Sequence, residues 1–303
     1  MKVLITGAYG FIGSHVCREF LRNGHDVIGI DAVSYAADPK RIVDLDIKVF
    51  EDDICNESNL DSIVRSNEIE WIVNTAAETH VDNSIRSSKE FIKSNIEGVR
   101  SILDVCRTTG TKLLQFSTDE VYGVPDGTPF NELSPLSPRN PYSSTKAAAD
   151  HLIHSYSVTH SVKSLTIRPS NNFGPGQHDE KFIPTVIRSL RQDSKIPLYG
   201  DGHQEREWTS VRDTARATRF LVERAGPDGS VFNLSSGVSM KNIELVKKIV
   251  DRVKPGSDYL EHVKLVKDRP GHDRKYWISC DKILRMGFEF QDKMDEVIEE
   301  ICR

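Results

Sequence analysis

Short apolar runs alternate with longer amphipathic stretches through the first half of the chain. Val3–Thr6, Asp26–Ile30, Ile47–Phe50, Trp71–Thr75, Leu113–Ser117 and Ser164–Ile167 read as buried strands. Between them Phe11–Arg22, Leu60–Ser66, Glu90–Arg107 and Tyr142–His160 repeat apolar residues at the helical period. Strands alternating with helices predict an α/β fold with a parallel sheet. The right-handed crossover makes that sheet doubly wound. After Pro169 the rhythm changes. A turn-rich segment, RPSNNFGPGQ, is followed by isolated helices such as Met240–Val253, with Met240, Ile243, Val246, Val250 and Val253 on one stripe, and a last helix near Lys293–Ile301. The expected division is residues 1–170 as a dinucleotide-binding domain. Residues 171–303 then form mainly a smaller C-terminal α/β substrate lobe, with some segments returning to the first domain.

Composition changes this picture little. The 303 residues are 28% charged and 38% hydrophobic, with a formal net charge of -5. That is ordinary for a folded protein, and the acidic balance argues against bulk nucleic-acid binding. No run is apolar enough to span a membrane, and MKVLITGAYG starts a strand rather than a signal peptide. Five scattered cysteines, Cys17, Cys55, Cys106, Cys280 and Cys302, form neither a disulfide framework nor a metal site. A reducing, cytoplasmic location is expected, with no metal.

Chemistry enters with TGAYGFIGSH, which closes the first strand and opens the first helix. Gly7 permits a tight turn, Gly10 lets backbone approach a pyrophosphate, and Gly13 lets helix lie close on strand. Asp31 ends the second strand, where a carboxylate accepts bonds from ribose hydroxyls and repels a 2′-phosphate. NAD is therefore favoured over NADP. Asp53-Ile54, after the third strand, is placed to meet the adenine, although Asp53 alone also reads as a helix cap. In PYSSTKAAAD, Tyr142 and Lys146 share a helical face, and an ammonium beside a phenol favours phenolate. Two adjacent carboxylates, Asp119 and Glu120, follow the apolar strand in FSTDEVYG.

With these motifs the chain resembles the extended short-chain dehydrogenase/reductases. Within them it is most similar to the dTDP-glucose 4,6-dehydratase family, through AAETHVDNSI, FIKSNIEGV, STDEVYG, NPYSSTKAAADH, RPSNNFGPGQ, EKFIP, PLYGDG and RPGHDRKY. The resemblance implies a Rossmann-type fold, NAD as cofactor, a nucleotide-diphosphate hexose as substrate and a homodimer through the Glu90–Arg107 and Tyr142–His160 helices. It implies lyase chemistry through transient NAD reduction. Tyr142 with Lys146 takes the 4-hydroxyl proton, Thr118 binds near the 4-oxygen, Glu120 removes the carbon-5 proton and Asp119 protonates the leaving 6-hydroxyl. An epimerase on this scaffold needs no such carboxylate pair, so 4-epimerization is the alternative, as is dehydration of UDP-glucose.

By the same resemblance Phe11, Ile12, Ala32, Ser34, Ala76, Ala77, Glu78, Thr79, Ser94, Ser117 and Asn172 line the cofactor. Thr79, His80 and Asn171 meet the sugar. Lys181, Phe182, Ile183, Val186, Pro197, Tyr199, Arg206, Asn233, Arg269 and His272 hold the nucleotide, with Asn233, Arg269 and His272 also open to structural readings. Two departures stand out. The stretch after Asp31 is trimmed, and Ser210 and Thr214 stand where relatives usually carry Tyr and His, which leaves base or sugar preference open.

Overall fold

The computed structural model describes residues 1–303. The first half runs β1 (Lys2–Thr6), α1 (Phe11–Arg22), β2 (Asp26–Asp31), β3 (Lys48–Glu51), α2 (Glu57–Ser66), β4 (Trp71–Asn74), α3 (Val81–Arg86), α4 (Lys89–Ile92), α5 (Gly98–Thr109), β5 (Lys112–Phe116), α6 (Pro141–His160) and β6 (Ser164–Pro169). The second half runs β7 (Asn171–Phe173), α7 (Phe182–Arg191), β8 (Ile196–Tyr199), β9 (Glu205–Ser210), α8 (Val211–Arg224), β10 (Ser230–Leu234), β11 (Ser239–Lys241), α9 (Asn242–Val253), β12 (Val263–Val266), α10 (Asp281–Arg285) and α11 (Met294–Cys302).

Seven parallel strands form the main sheet in the order β10-β6-β5-β4-β1-β2-β3. Their apolar runs are buried on both faces, as a fully covered parallel sheet requires. One face packs on α1 and α8 through Val16, Phe20, Ala217 and Leu221. The other packs on α2, α5 and α6 through Leu60, Ile63, Ile102, Leu103 and Ile153. Truncating one of these large side chains would cost about 2–5 kcal/mol. A third core joins α7, α9 and α11 around Trp208. Beside it lie a three-stranded sheet, β11-β9-β7, and a parallel pair, β12-β8.

Two elements differ from the sequence expectation. The pattern over Glu90–Arg107 predicts one helix, but Lys93–Glu97 forms a π turn between α4 and α5. Met240 was expected on the helical stripe, yet it pairs with Arg206 in β11. The backbone of Lys241 is extended, and Glu244 accepts its N–H to start α9 afterwards.

Candidate active site

A cavity of about 380 Å³ opens where the main sheet's strands end at their carboxyl edge. The glycine turn forms its floor. Gly7 has φ +66°, and its amide donates to Ile30 O. A Cβ on Gly13 would lie 2.0 Å from Gly7 O and 2.8 Å from Thr75 Oγ1, so only glycine lets α1 seat this deeply. The helix starts at Gly10 with no side-chain cap, which leaves its first N–H groups free for an anion. Asp31 Oδ2 accepts the Tyr9 amide at 2.9 Å and Oδ1 the Val33 amide at 2.8 Å. Burial raises its pKa, while those amides and the Arg41 charge hold it down. Asn172 also faces the cavity, with its buried Oδ1 unpartnered. A diphosphate-linked dinucleotide fits this cradle of open amides, glycine and a carboxylate.

Phe11, Ile12, Ala32, Ser34, Asp53, Ile54, Ala76, Ala77, Glu78, Thr79, Ser94 and Ser117 line the same cavity. Asp53 is fixed by Lys93 at 2.7 Å and by the Cys55 amide, so its carboxylate serves local structure as well as lining. Asn95, which sequence reasoning missed, holds this wall. It accepts from Glu78 N and donates to Glu78 O and Thr145 Oγ1, joining the 76–79 segment to α6. The π turn is what turns Asn95 inward. No sequence period announces such a turn.

The reacting groups sit where β5 ends and α6 begins. Asn140 caps α6, and Pro141 follows it in the first turn. Tyr142 and Lys146 lie one turn apart and are buried. Lys146 Nζ donates to Phe116 O at 2.5 Å, and burial lowers its pKa to about 8. The surroundings of Tyr142 within the chain do not lower its pKa as expected. Burial and then the Glu120 charge push the phenol up, while a hydrogen bond with Thr118 pulls it the other way.

Asp119 is 3% exposed. Its Oδ1 accepts from Thr118 at 3.3 Å, and its Oδ2 is buried without a partner. Burial first, then Glu120 and Glu207, raise its pKa well above the ordinary carboxylate range. Each of these causes favours the neutral acid over the carboxylate. Glu120 is only half-buried, with Oε2 accepting from Asn140 at 3.0 Å and Tyr276 at 3.3 Å. Thus two neighbouring carboxyls have opposite surroundings, as an acid and a base require. Tyr276 closes RPGHDRKY, so its motif was visible, but nothing local showed that it reaches Glu120.

The substrate assignments divide. Thr79, Thr118, Asn171, Lys181 and Phe182 line the cavity. Lys181 Nζ donates to Thr79 Oγ1 at 3.1 Å and O at 3.2 Å. His80 does not line it; its Nδ1 accepts the Asn83 amide at the start of α3. Tyr199, Arg269 and His272 gather outside the cavity around α3. Tyr199 donates to Asp82, Arg269 lies 3.9 Å from Asp82, and the His272 ring meets Tyr199 edge-on. Burial lowers the His272 pKa to about 4. Pro197 sits exposed on β8.

Several of the expected positions lie in packed surroundings away from the cavity lining. Ile183 and Val186 have no exposed surface and belong to the core of the second half, because the apolar face of α7 turns inward. Arg206 is 4% exposed; it donates to the carbonyls of Glu205 and Asp273 and stacks on Tyr276 at 4.3 Å. Asn233 is fully buried, bonded to Tyr122, Phe130 O and Ser279 O. Ser210 and Thr214 are buried away from the cavity, and Ser210 bonds Asp292 while capping α8.

Known proteins share this arrangement. A model of the NAD dependent epimerase/dehydratase family matches residues 3–235. The low-salt glycan biosynthesis protein Agl12 of Haloferax volcanii is 40% identical, over 99% of this chain and 98% of its own length. The dTDP-glucose 4,6-dehydratase of Neisseria gonorrhoeae is 36% identical, over 94% of this chain and 89% of its own. Among solved structures, DesIV, a dTDP-glucose 4,6-dehydratase from Streptomyces venezuelae with NAD and dTDP bound, has a TM-score of 0.95 at 32% identity, covering 100% of this chain and 96% of that one. A Thermotoga maritima UDP-glucose 4-epimerase has a TM-score of 0.92 at 24% identity over 100% of this chain and 97% of its own, a likeness of fold alone. Fold, glycine cradle and family match agree: the chain belongs to the NAD dependent epimerase/dehydratase family of extended short-chain dehydrogenase/reductases.

Proposed function

We propose that the protein is a nucleotide-sugar 4,6-dehydratase that converts dTDP-glucose to dTDP-4-keto-6-deoxyglucose. The observation that carries this reading is the buried Asp119, its Oδ2 without a partner, beside the better-solvated Glu120, in one cavity with Thr118 and Tyr142. Bound NAD supplies a hydride acceptor that returns its hydride within the same turnover. Thr118 and Tyr142 hold the sugar's 4-oxygen, and Tyr142 takes the hydroxyl proton. The Lys146 ammonium, one helical turn from Tyr142 and bonded to the Phe116 carbonyl, supplies positive charge to that pocket. Once carbon 4 is a ketone, the hydrogen on carbon 5 is acidic and Glu120 removes it. Asp119 gives its proton to the departing 6-hydroxyl, so water leaves rather than hydroxide, and the 6-deoxy product is completed when the hydride returns to carbon 6 and Glu120 gives its proton back to carbon 5. A 4-epimerase has no use for a buried carboxyl with an unpartnered oxygen at this position.

In this reading residues 1–170 chiefly hold the cofactor. Residues 171–303 chiefly hold the substrate, its nucleotide through Lys181 and Phe182 and its sugar through Asn171. Two copies pair through the outer faces of α5 and α6, where Val158 stands 69% exposed. Five free cysteines suit work in the cytoplasm. The test is incubation of purified protein with NAD and either dTDP-glucose or UDP-glucose. A 4-keto-6-deoxy product from dTDP-glucose supports the reading. Product from UDP-glucose alone moves the base preference, and a hexose epimer in place of ketone overturns the dehydratase assignment.

A further inference from the structure

Two loops from opposite halves of the chain meet over the cofactor cavity. The first, residues 32–41, contributes Ala32, Ser34, Ala36 and Ala37 to its wall, and the second, residues 174–181, contributes Gln177, His178, Glu180 and Lys181. Arg41 and Tyr35 make most of the contact between the loops. Arg41 Nη1 donates to Tyr9 O at 2.7 Å and Ala36 O at 3.0 Å, which shapes its own loop over the glycine turn. Its Nε crosses to Gly176 O at 2.9 Å. Gly176 adopts φ +79° to present that carbonyl. Three further contacts lie alongside. Tyr35 OH donates to Glu180 Oε1 at 3.2 Å, the Tyr35 ring meets His178 edge-on at 5.7 Å, and His15 Nε2 bonds Pro175 O at 3.0 Å.

We propose that Arg41 and Tyr35 clasp the two loops together and so retain the dinucleotide between turnovers. The inference rests on the NAD reading of the cavity. A dinucleotide lying along the glycine turn is enclosed between these loops, and leaving requires them to part. Parting them breaks a charge-assisted hydrogen bond and a phenol–carboxylate bond together. Retention matters to a reaction that returns its hydride to the same sugar, since a cofactor lost in reduced form strands the ketone.

The test measures NAD bound to wild-type, Arg41→Ala and Tyr35→Phe proteins after gel filtration, and NAD release by rapid dilution. Arg41→Ala is expected to release NAD about tenfold faster or more. Tyr35→Phe, which removes one hydroxyl from a half-exposed ring, should give a smaller acceleration with unchanged thermal stability. Wild-type release rates in a folded Tyr35→Phe and in Arg41→Ala overturn the clasp while leaving the dehydratase reading intact. A wild-type protein that binds no NAD overturns the cofactor reading and the clasp together. Neither outcome depends on which sugar nucleotide is turned over.

Discussion

Asn140 joins the two ends of the proposed chemistry: its side-chain oxygen caps α6 two residues before Tyr142, and its amide nitrogen donates to Glu120 Oε2 at 3.0 Å. One side chain therefore sets the start of the tyrosine's helix and the orientation of the neighbouring carboxylate. Asn140→Ala should lower turnover through Glu120 and lower stability by about 1 kcal/mol through the lost cap. Steady-state kinetics and thermal melts on the same sample check both.

Asp119→Asn and Glu120→Gln should each lower turnover of dTDP-glucose by about 10²–10⁴. They should differ in what survives. With Asp119→Asn, Glu120 can still exchange the carbon-5 hydrogen of bound 4-keto sugar with deuterated solvent. With Glu120→Gln that exchange should stop. Mass spectrometry of recovered sugar separates the two roles, and equal exchange in both variants would refute them.

The burial of Asp119 also has a stability signature. Its folded pKa is raised above the ordinary value, so between those values the native state holds a proton that the unfolded chain has released. Stability contributed by this group is complete at low pH and falls as pH rises. Asp119→Asn removes that dependence. The variant should match wild type near about pH 4 and melt higher than wild type near about pH 8. A uniform shift at both pH values would contradict this.

Gly13→Ala places a methyl 2.0 Å from Gly7 O. The backbone must move, at a cost of about 1–3 kcal/mol, and the amides at the start of α1 move with it. The expected protein is folded but purifies without NAD. Calorimetric titration with NAD reads the loss directly.

Asn233→Ala tests the packed placement of that residue. Asn233 lies in a buried chain of bonds that runs through Tyr122 and Arg168 to Asp150. Stability should fall by about 1–3 kcal/mol, with the KM for sugar nucleotide unchanged. A raised KM at unchanged stability would return Asn233 to the nucleotide site.

The parallel sheet was legible because strands buried on both faces leave unbroken apolar runs, and β1, β2, β5 and β6 stand within a residue or two of where those runs lie. The glycine turn was legible because each glycine answers a separate steric demand. Which side of an element a residue faces was not. Phe182 lines the cavity while its neighbour Ile183 is sealed in the core, a distinction of one helical step. Arg206 carries the charge expected of a diphosphate ligand, but β9 points it inward onto Tyr276. Long-range partners such as Tyr276 and Glu120 are separated by 156 positions, and no local pattern encodes their meeting.

The sheet's outer strand β10 arrives late. Its partner β6 is already in the chain by Pro169, but Ser230–Leu234 must be synthesised before that edge is covered. Without β10, β6 would be the sheet's edge, with free amides and carbonyls along one side. A nascent chain halted between these points is therefore a sticky object, ready to add a strand from any neighbour. The second half of the polypeptide thus, in addition to whatever it binds, seals an edge that the first half would leave open.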